Sequence, residues 1–161
     1  MTEFTLPPYR LNIDIAATRA YCAAHPFPRV TCGCAGCRNF VRAVKTLPPA
    51  VTDFFSALGL DPERAAEVCV DHADKKSCLY GSWYHLVGEL TAGEPPPGHL
   101  CGAWLTLAEG VEAAFGQECH LLPEDFPRPC LQLNLEWRLP WLLEEKNPYD
   151  ESFLPDRRNA P

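Results

Sequence analysis

Leu131-Gln132-Leu133-Asn134-Leu135-Glu136-Trp137-Arg138-Leu139 is the stretch that decides the fold. Its apolar residues take every second position without a break, and a period of two belongs to an extended strand whose side chains alternate between faces. One face is then buried and the other wet, as in an antiparallel sheet covered on a single side. On this register Gln132, Asn134, Glu136 and Arg138 are expected to be accessible and the five apolar residues buried. A slip of one position would expose all five, so the register is strongly specified.

Working outward, residues 79–90 are apolar on both parities, with Leu79, Trp83 and Val87 against Tyr80, Tyr84 and Leu86, which predicts a central strand covered on both faces. Val68-Cys69-Val70 predicts a short strand, and 101–107 and 111–122 read as strands around a turn, although Leu107 to Phe115 fits a helix as well. Gly93-Glu94-Pro95-Pro96-Pro97-Gly98 is a loop.

Toward the N-terminus the period changes. Phe40, Val41, Val44 and Leu47 form a helical stripe over 36–46, which Pro48-Pro49 ends. Val51, Phe54, Phe55 and Leu58 repeat the pattern over 50–58, with Gly59 as the stop, and Asp61-Pro62-Glu63 caps a further short turn. Residues 11–24 open with strand-like alternation of Leu11, Ile13, Ile15 and Ala17. The expected class is α+β: an antiparallel sheet with two or three helices near the N-terminal end. Residues 1–146 are expected to form a single globular domain, with a hairpin and helices in 11–60 and the sheet in 66–145, and 147–161 a loose tail.

Four cysteines crowd the N-terminal part: Cys22, then Cys32, Cys34 and Cys37, spaced C-x9-C-x-C-x2-C with Gly33 and Gly36 between them. Three thiols in six residues beside glycines offer no apolar face to bury. They match the soft donors and tight turn that a tetrahedral Zn2+ requires. Carried forward, the strand register puts Cys22 on the polar side, so a hairpin through His25 would bring it to Cys32 and Cys34. Cys37 would close the set from the first turn of the following helix. His25 is the other candidate for the fourth ligand, and an iron–sulfur cluster takes the same thiolates. With four protein ligands no position stays open for water, so such a zinc is structural.

Charge is unevenly placed. Residues 1–50 hold six cations (Arg10, Arg19, Arg29, Arg38, Arg42, Lys45) against two acids, whereas the remaining eight cations face nineteen acids. An acidic sheet repels phosphate, which confines any nucleic-acid contact to the N-terminal part. There Arg38, Arg42 and Lys45 line one helix face. Three charges fall short of a nucleic-acid footprint, and a solvated face with cations near a helix C-terminus explains them better. No apolar stretch reaches membrane-spanning length and the first residues have neither a basic nor an apolar region of a signal peptide, so the nine cysteines are expected to be reduced thiols in a cytoplasm.

Asp71, His72 and His85 raise acid–base chemistry in a sheet cleft, as in a small hydrolase. No Ser-, Cys- or metal-centred constellation accompanies them, and a lone strand histidine is more often a hydrogen-bonded core or rim residue. Cys69, Cys78, Cys101 and Cys119 read as packing thiols. Cys130 is the exception, because it falls on the polar parity of its strand.

Thr31 to Phe40 (Thr-Cys-Gly-Cys-Ala-Gly-Cys-Arg-Asn-Phe), Ser56 to Val68, Tyr80 to Gly88 and Leu139 to Glu145 resemble segments of a family of uncharacterised bacterial proteins with an N-terminal C-x-C-x2-C zinc-knuckle-like motif. The likeness spans residues 10–146. It implies a small bacterial cytoplasmic protein and no particular activity, ligand or mechanism. The reading that follows is a non-enzymatic interaction or binding protein with an unidentified protein partner, in which zinc fastens the fold.

Overall fold

The computed structural model describes residues 1–25 and 33–150. Seven strands form an antiparallel sheet: β1 (Thr2–Leu6), β2 (Tyr9–Ile13), β3 (Glu67–Ala73), β4 (Ser77–Ala92), β5 (Leu105–Ala108), β6 (Val111–Gly116) and β7 (Cys130–Pro140). The order is β1-β2-β4-β7-β6-β5, with β3 also paired to β4. β4 is the hub. β7 runs along residues 77–87 of β4, β3 pairs with residues 78–83, and β2 pairs beyond Gly88. At Gly88 the backbones approach so closely that a Cβ would stand 2.4 Å from the Asn12 carbonyl oxygen, so only glycine fits. The Asp74 carboxylate fastens the β3–β4 turn by accepting from the Lys76 and Ser77 amides at 2.7 and 2.8 Å.

Three helices lie in the N-terminal part of the described chain: α1 (Ile15–Ala24), α2 (Ala35–Ala43, continued by a 3-10 turn at Val44–Thr46) and α3 (Pro49–Leu58). α3 starts on proline and stops at Gly59, whose φ of 77° lets its amide and that of Leu60 close back on Ser56 and Phe55. The apolar stripes of α2 and α3 bury Phe40, Val44, Val51, Phe55 and Leu58 against Tyr80, Tyr84, Leu133, Leu135 and Trp137 of the sheet. Phe55 lies 4.9 Å from Tyr84 and 5.6 Å from Trp137, and Phe40 is 5.9 Å from Trp137, centroid to centroid. The polar atoms inside are matched. Trp137 Nε1 donates to Ser82 Oγ at 2.7 Å. Asn39 donates to Tyr80 Oη and the Pro140 carbonyl and accepts from the Leu142 amide.

The α+β class and the strand at 130–139 stand as expected, with Leu131, Leu133, Leu135, Trp137 and Leu139 all buried. Two local readings change. The strand expected through 11–24 ends at Ile13, because Asp14 caps a helix by accepting from the Ala17 amide at 2.9 Å and the alanine-rich run after it is helical. Cys22 therefore sits on a helix, not on the leg of a hairpin; of the return strand expected at 29–34, residues 29–32 lie outside the described residues and Cys34 caps α2 instead. The region read as a tail begins with an anchor. Asn147 and Asp150 are buried, and Asn147 Nδ2 donates to the Asp74 carbonyl at 2.9 Å and to Cys78 Sγ at 3.3 Å. Residues 151–161 lie outside the described residues.

Candidate functional site

Cys34 caps α2, its sulfur accepting from the Cys37 amide at 3.5 Å, and both thiols stand on the first turn, where the helix dipole favours negative charge. Gly36 lets this turn press onto the sheet, since a Cβ there would meet Val70 at 2.7 Å and the Tyr149 ring at 3.1 Å. Tyr149 closes over the pair. Its hydroxyl pKa is raised, first by the hydrogen bond with Cys34 and then by burial. Cys32 lies outside the described residues. Cys22 stands on α1 beside Arg64 and Asp61; burial pushes its thiol pKa up, and Arg64 partly offsets this. His25 ends α1, stacks on Tyr21 at 4.2 Å and points Nε2 at Asp125 Oδ2, 3.2 Å away. Among the described residues no three His, Cys, Asp or Glu side chains converge as a metal cluster. Of the basic stripe, Arg38 pairs with Glu145 and donates to the Gly33 carbonyl, Lys45 reaches Glu63 at 3.5 Å, and Arg42 is exposed.

The second assembly is the sheet face opposite α2 and α3; α1 packs only on its Val87 end, where Tyr21 and Phe126 bury that side chain. Cross-strand partners share a face, so Glu67, Trp83 and Asn134 lie in one row and Gly81, Glu136 and Glu112 in the next. The Asp71 carboxylate extends over Gly81, where a Cβ would lie 3.0 Å from Oδ2. Glu112 stands directly opposite Glu136 in the ladder, a like-charge cross-strand pair and therefore an unfavourable one. Arg138 is exposed, and Trp83, Asn134 and Glu136 are partly so.

Gln132 departs from the expected accessibility: it retains 2 % exposure. The reason is the loop after β6, which folds over this end of the face. The His120 amide donates to Gln132 Oε1 at 2.7 Å, and Gln132 Nε2 donates to Asn134 Oδ1 at 2.7 Å. The His120 carbonyl accepts from His85 Nε2 at 2.8 Å and from Trp83 Nε1 at 3.1 Å. An uncharged amide bonded at both ends can be buried without penalty. Burial, the largest effect, lowers the pKa of His85, which is neutral near neutral pH with the hydrogen on Nε2. His85 is thus a support for the loop. His72 pairs with Leu79, six residues along β4 from His85 and about 20 Å away, so the two histidines do not form one centre.

Two concavities lie beside Cys22. One, of about 40 Å³, is lined by Tyr84, His85 and Phe126 and has room for about one water. The other, of about 230 Å³, is lined by Arg19, Ser56, Asp61 and Arg64, whose guanidinium is already held by Asp61 and the Cys22 carbonyl. No helix among the described residues is long and apolar enough to cross a membrane. No family model, curated protein or solved structure matches this chain.

Sequence reasoning missed the His120 loop, because the strand expected through 111–122 ends at Gly116 and the loop follows it. It did flag Cys130 as lying on the polar parity. The structure puts that thiol against Cys119, with the sulfurs 3.4 Å apart.

Proposed function

We propose that this chain is a non-enzymatic interaction protein that presents the open, acidic face of its sheet to a protein partner carrying cationic groups, with a structural zinc ion at its N-terminal cysteines. One observation carries the first part: α2 and α3 cover one face of the sheet, while the other holds Glu67, Asp71, Glu112 and Glu136 around a half-buried Trp83. An opposed glutamate pair is a standing cost in the free protein, and a cation placed between the carboxylates would relieve it. The indole adds an apolar anchor of the kind that dominates interface energy. The same charge disfavours nucleic acid, and His85, spent on a carbonyl, supports no hydrolase.

The zinc reading is supported by Cys34 and Cys37 sharing the first turn of α2, with an amide already directed at sulfur. Cys32 and either Cys22 or His25 are the remaining candidates.

The test of the interaction is the double variant Glu112→Lys, Glu136→Lys. It is expected to keep its melting temperature and to lose the partner recovered by affinity purification of the native chain from its own cells. Recovery of the same partner by the variant, or of none by the native chain, overturns the reading. The zinc is tested separately by elemental analysis after purification without chelator, with about one equivalent expected. Cys34→Ser should then destabilise far more than Cys69→Ser, whose thiol is exposed. A folded, metal-free protein refutes the zinc site, and iron with visible absorbance replaces zinc by a cluster.

A further inference from the structure

Cys130 opens β7 opposite Val87, and Cys119 lies in the loop between β6 and β7, one residue before His120. Their sulfurs are 3.4 Å apart, and Arg128 Nη1 stands 3.3 Å from Cys130 Sγ, a positive partner for charge on that sulfur. Both thiols are partly accessible, and Gln117, Glu118, His120, Arg128 and Pro129 around them are exposed. Neither thiol belongs to the main core, where Cys78 is the packing cysteine.

We propose that Cys119 and Cys130 are a redox-active dithiol that closes to an intramolecular disulfide when the chain meets a small-molecule disulfide such as oxidised glutathione. The Cys130 thiolate, beside Arg128, attacks one sulfur of the small disulfide. The small S–S bond breaks, one glutathione leaves as thiolate and takes up a proton, and Cys130 carries the other as a mixed disulfide. Cys119 then gives up its proton and attacks the Cys130 sulfur, expelling the second glutathione. Two protein thiols are oxidised by two electrons and one small disulfide is reduced to two thiols, so the exchange balances.

The order of attack follows from surroundings. The Cys119 pKa is pushed up to about 12, first by burial and then by its hydrogen bond to Cys130, so it is a neutral thiol near neutral pH and suits the resolving role. Closing the bond requires the sulfurs to approach by about 1.4 Å, and Cys119 is on a loop that can supply this while β7 stays paired. The product ties to β7 the same loop whose next residue bonds Gln132, His85 and Trp83. Oxidation therefore pins the cover at this end of the open face.

The full-length protein is incubated with oxidised glutathione, quenched in acid, alkylated and peptide-mapped without reduction. The expected result is a peptide pair linked through Cys119 and Cys130, a mass lower by two hydrogens, and joint loss of alkylation at these two positions. Cys119→Ser is expected to hold glutathione on Cys130 as a lasting mixed disulfide. Arg128→Gln, which removes the cation 3.3 Å from the Cys130 sulfur, is expected to slow the reaction about threefold. The proposal is overturned if Cys119 and Cys130 stay alkylatable while other cysteines oxidise, or if glutathione collects on Cys119 instead. Should either variant fail to fold, the map of the unaltered protein still decides.

Discussion

On the helix side of the sheet, aromatic rings interlock at 4.9–5.9 Å between centroids and Trp137, Tyr80 and Tyr84 are buried. On the open side the same strands show carboxylates, one half-buried indole and a loop held by a short chain of hydrogen bonds through His120. β4 and β7 build both sides, so backbone pairing does not distinguish them. The difference is that apolar burial fixes one face by area removed from water, whereas the other is fixed by polar partners that solvent or a ligand can replace. A protein built this way can spend stability on one side and specificity on the other.

The largest effect should come from emptying the helix side. Trp137→Ala leaves a cavity beneath Phe40 and Phe55 and strands Ser82, and is expected to cost about 3–5 kcal/mol in urea unfolding. A loss comparable to that of a surface substitution would erase the asymmetry between the faces.

A smaller effect should appear at the loop, through pH. Burial holds the folded-state pKa of His85 below its ordinary 6.5. The unfolded chain then takes up this proton at a higher pH than the folded chain does. Stability contributed by neutral His85 is complete above about pH 6.5 and declines as pH falls from there toward the lowered value. Melting temperatures followed from about pH 7.5 to 5.5 should show this decline, and His85→Gln should flatten part of it. An unchanged profile in His85→Gln would assign the decline to other groups.

The smallest effect belongs to the open rows. Glu136→Lys should shift stability by no more than about 0.5 kcal/mol, and upward if it moves, because it turns the opposition with Glu112 into an attraction. A large loss in chemical denaturation would show that this face is packed rather than presented.

Much of the architecture was legible because it rests on periodicity. The alternation of 131–139 and the stripes of α2 and α3 report which side chains leave water, and the strand and helix bounds follow to within a few residues. The misreading at 11–24 has a local cause. A few alternating apolar residues imitate a strand, whereas the Asp14 cap and the alanines that follow carry the helix. The site was less legible. Cys34 and Cys37 are neighbours in sequence and remain so in space, but Cys22 joins Arg64 and Leu60 through the packing of α1, which no spacing rule reports.

The sequence by itself determined the α+β class, the register of β7 and the ends of α2 and α3, since these depend on neighbours within a few residues of one another. Only the tertiary structure decided that Gln132 is buried, that His85 serves a loop, and that Cys119 meets Cys130 across eleven positions. The physical reason is that burial and hydrogen bonding belong to pairs, and these partners come from segments whose meeting depends on how the whole chain packs.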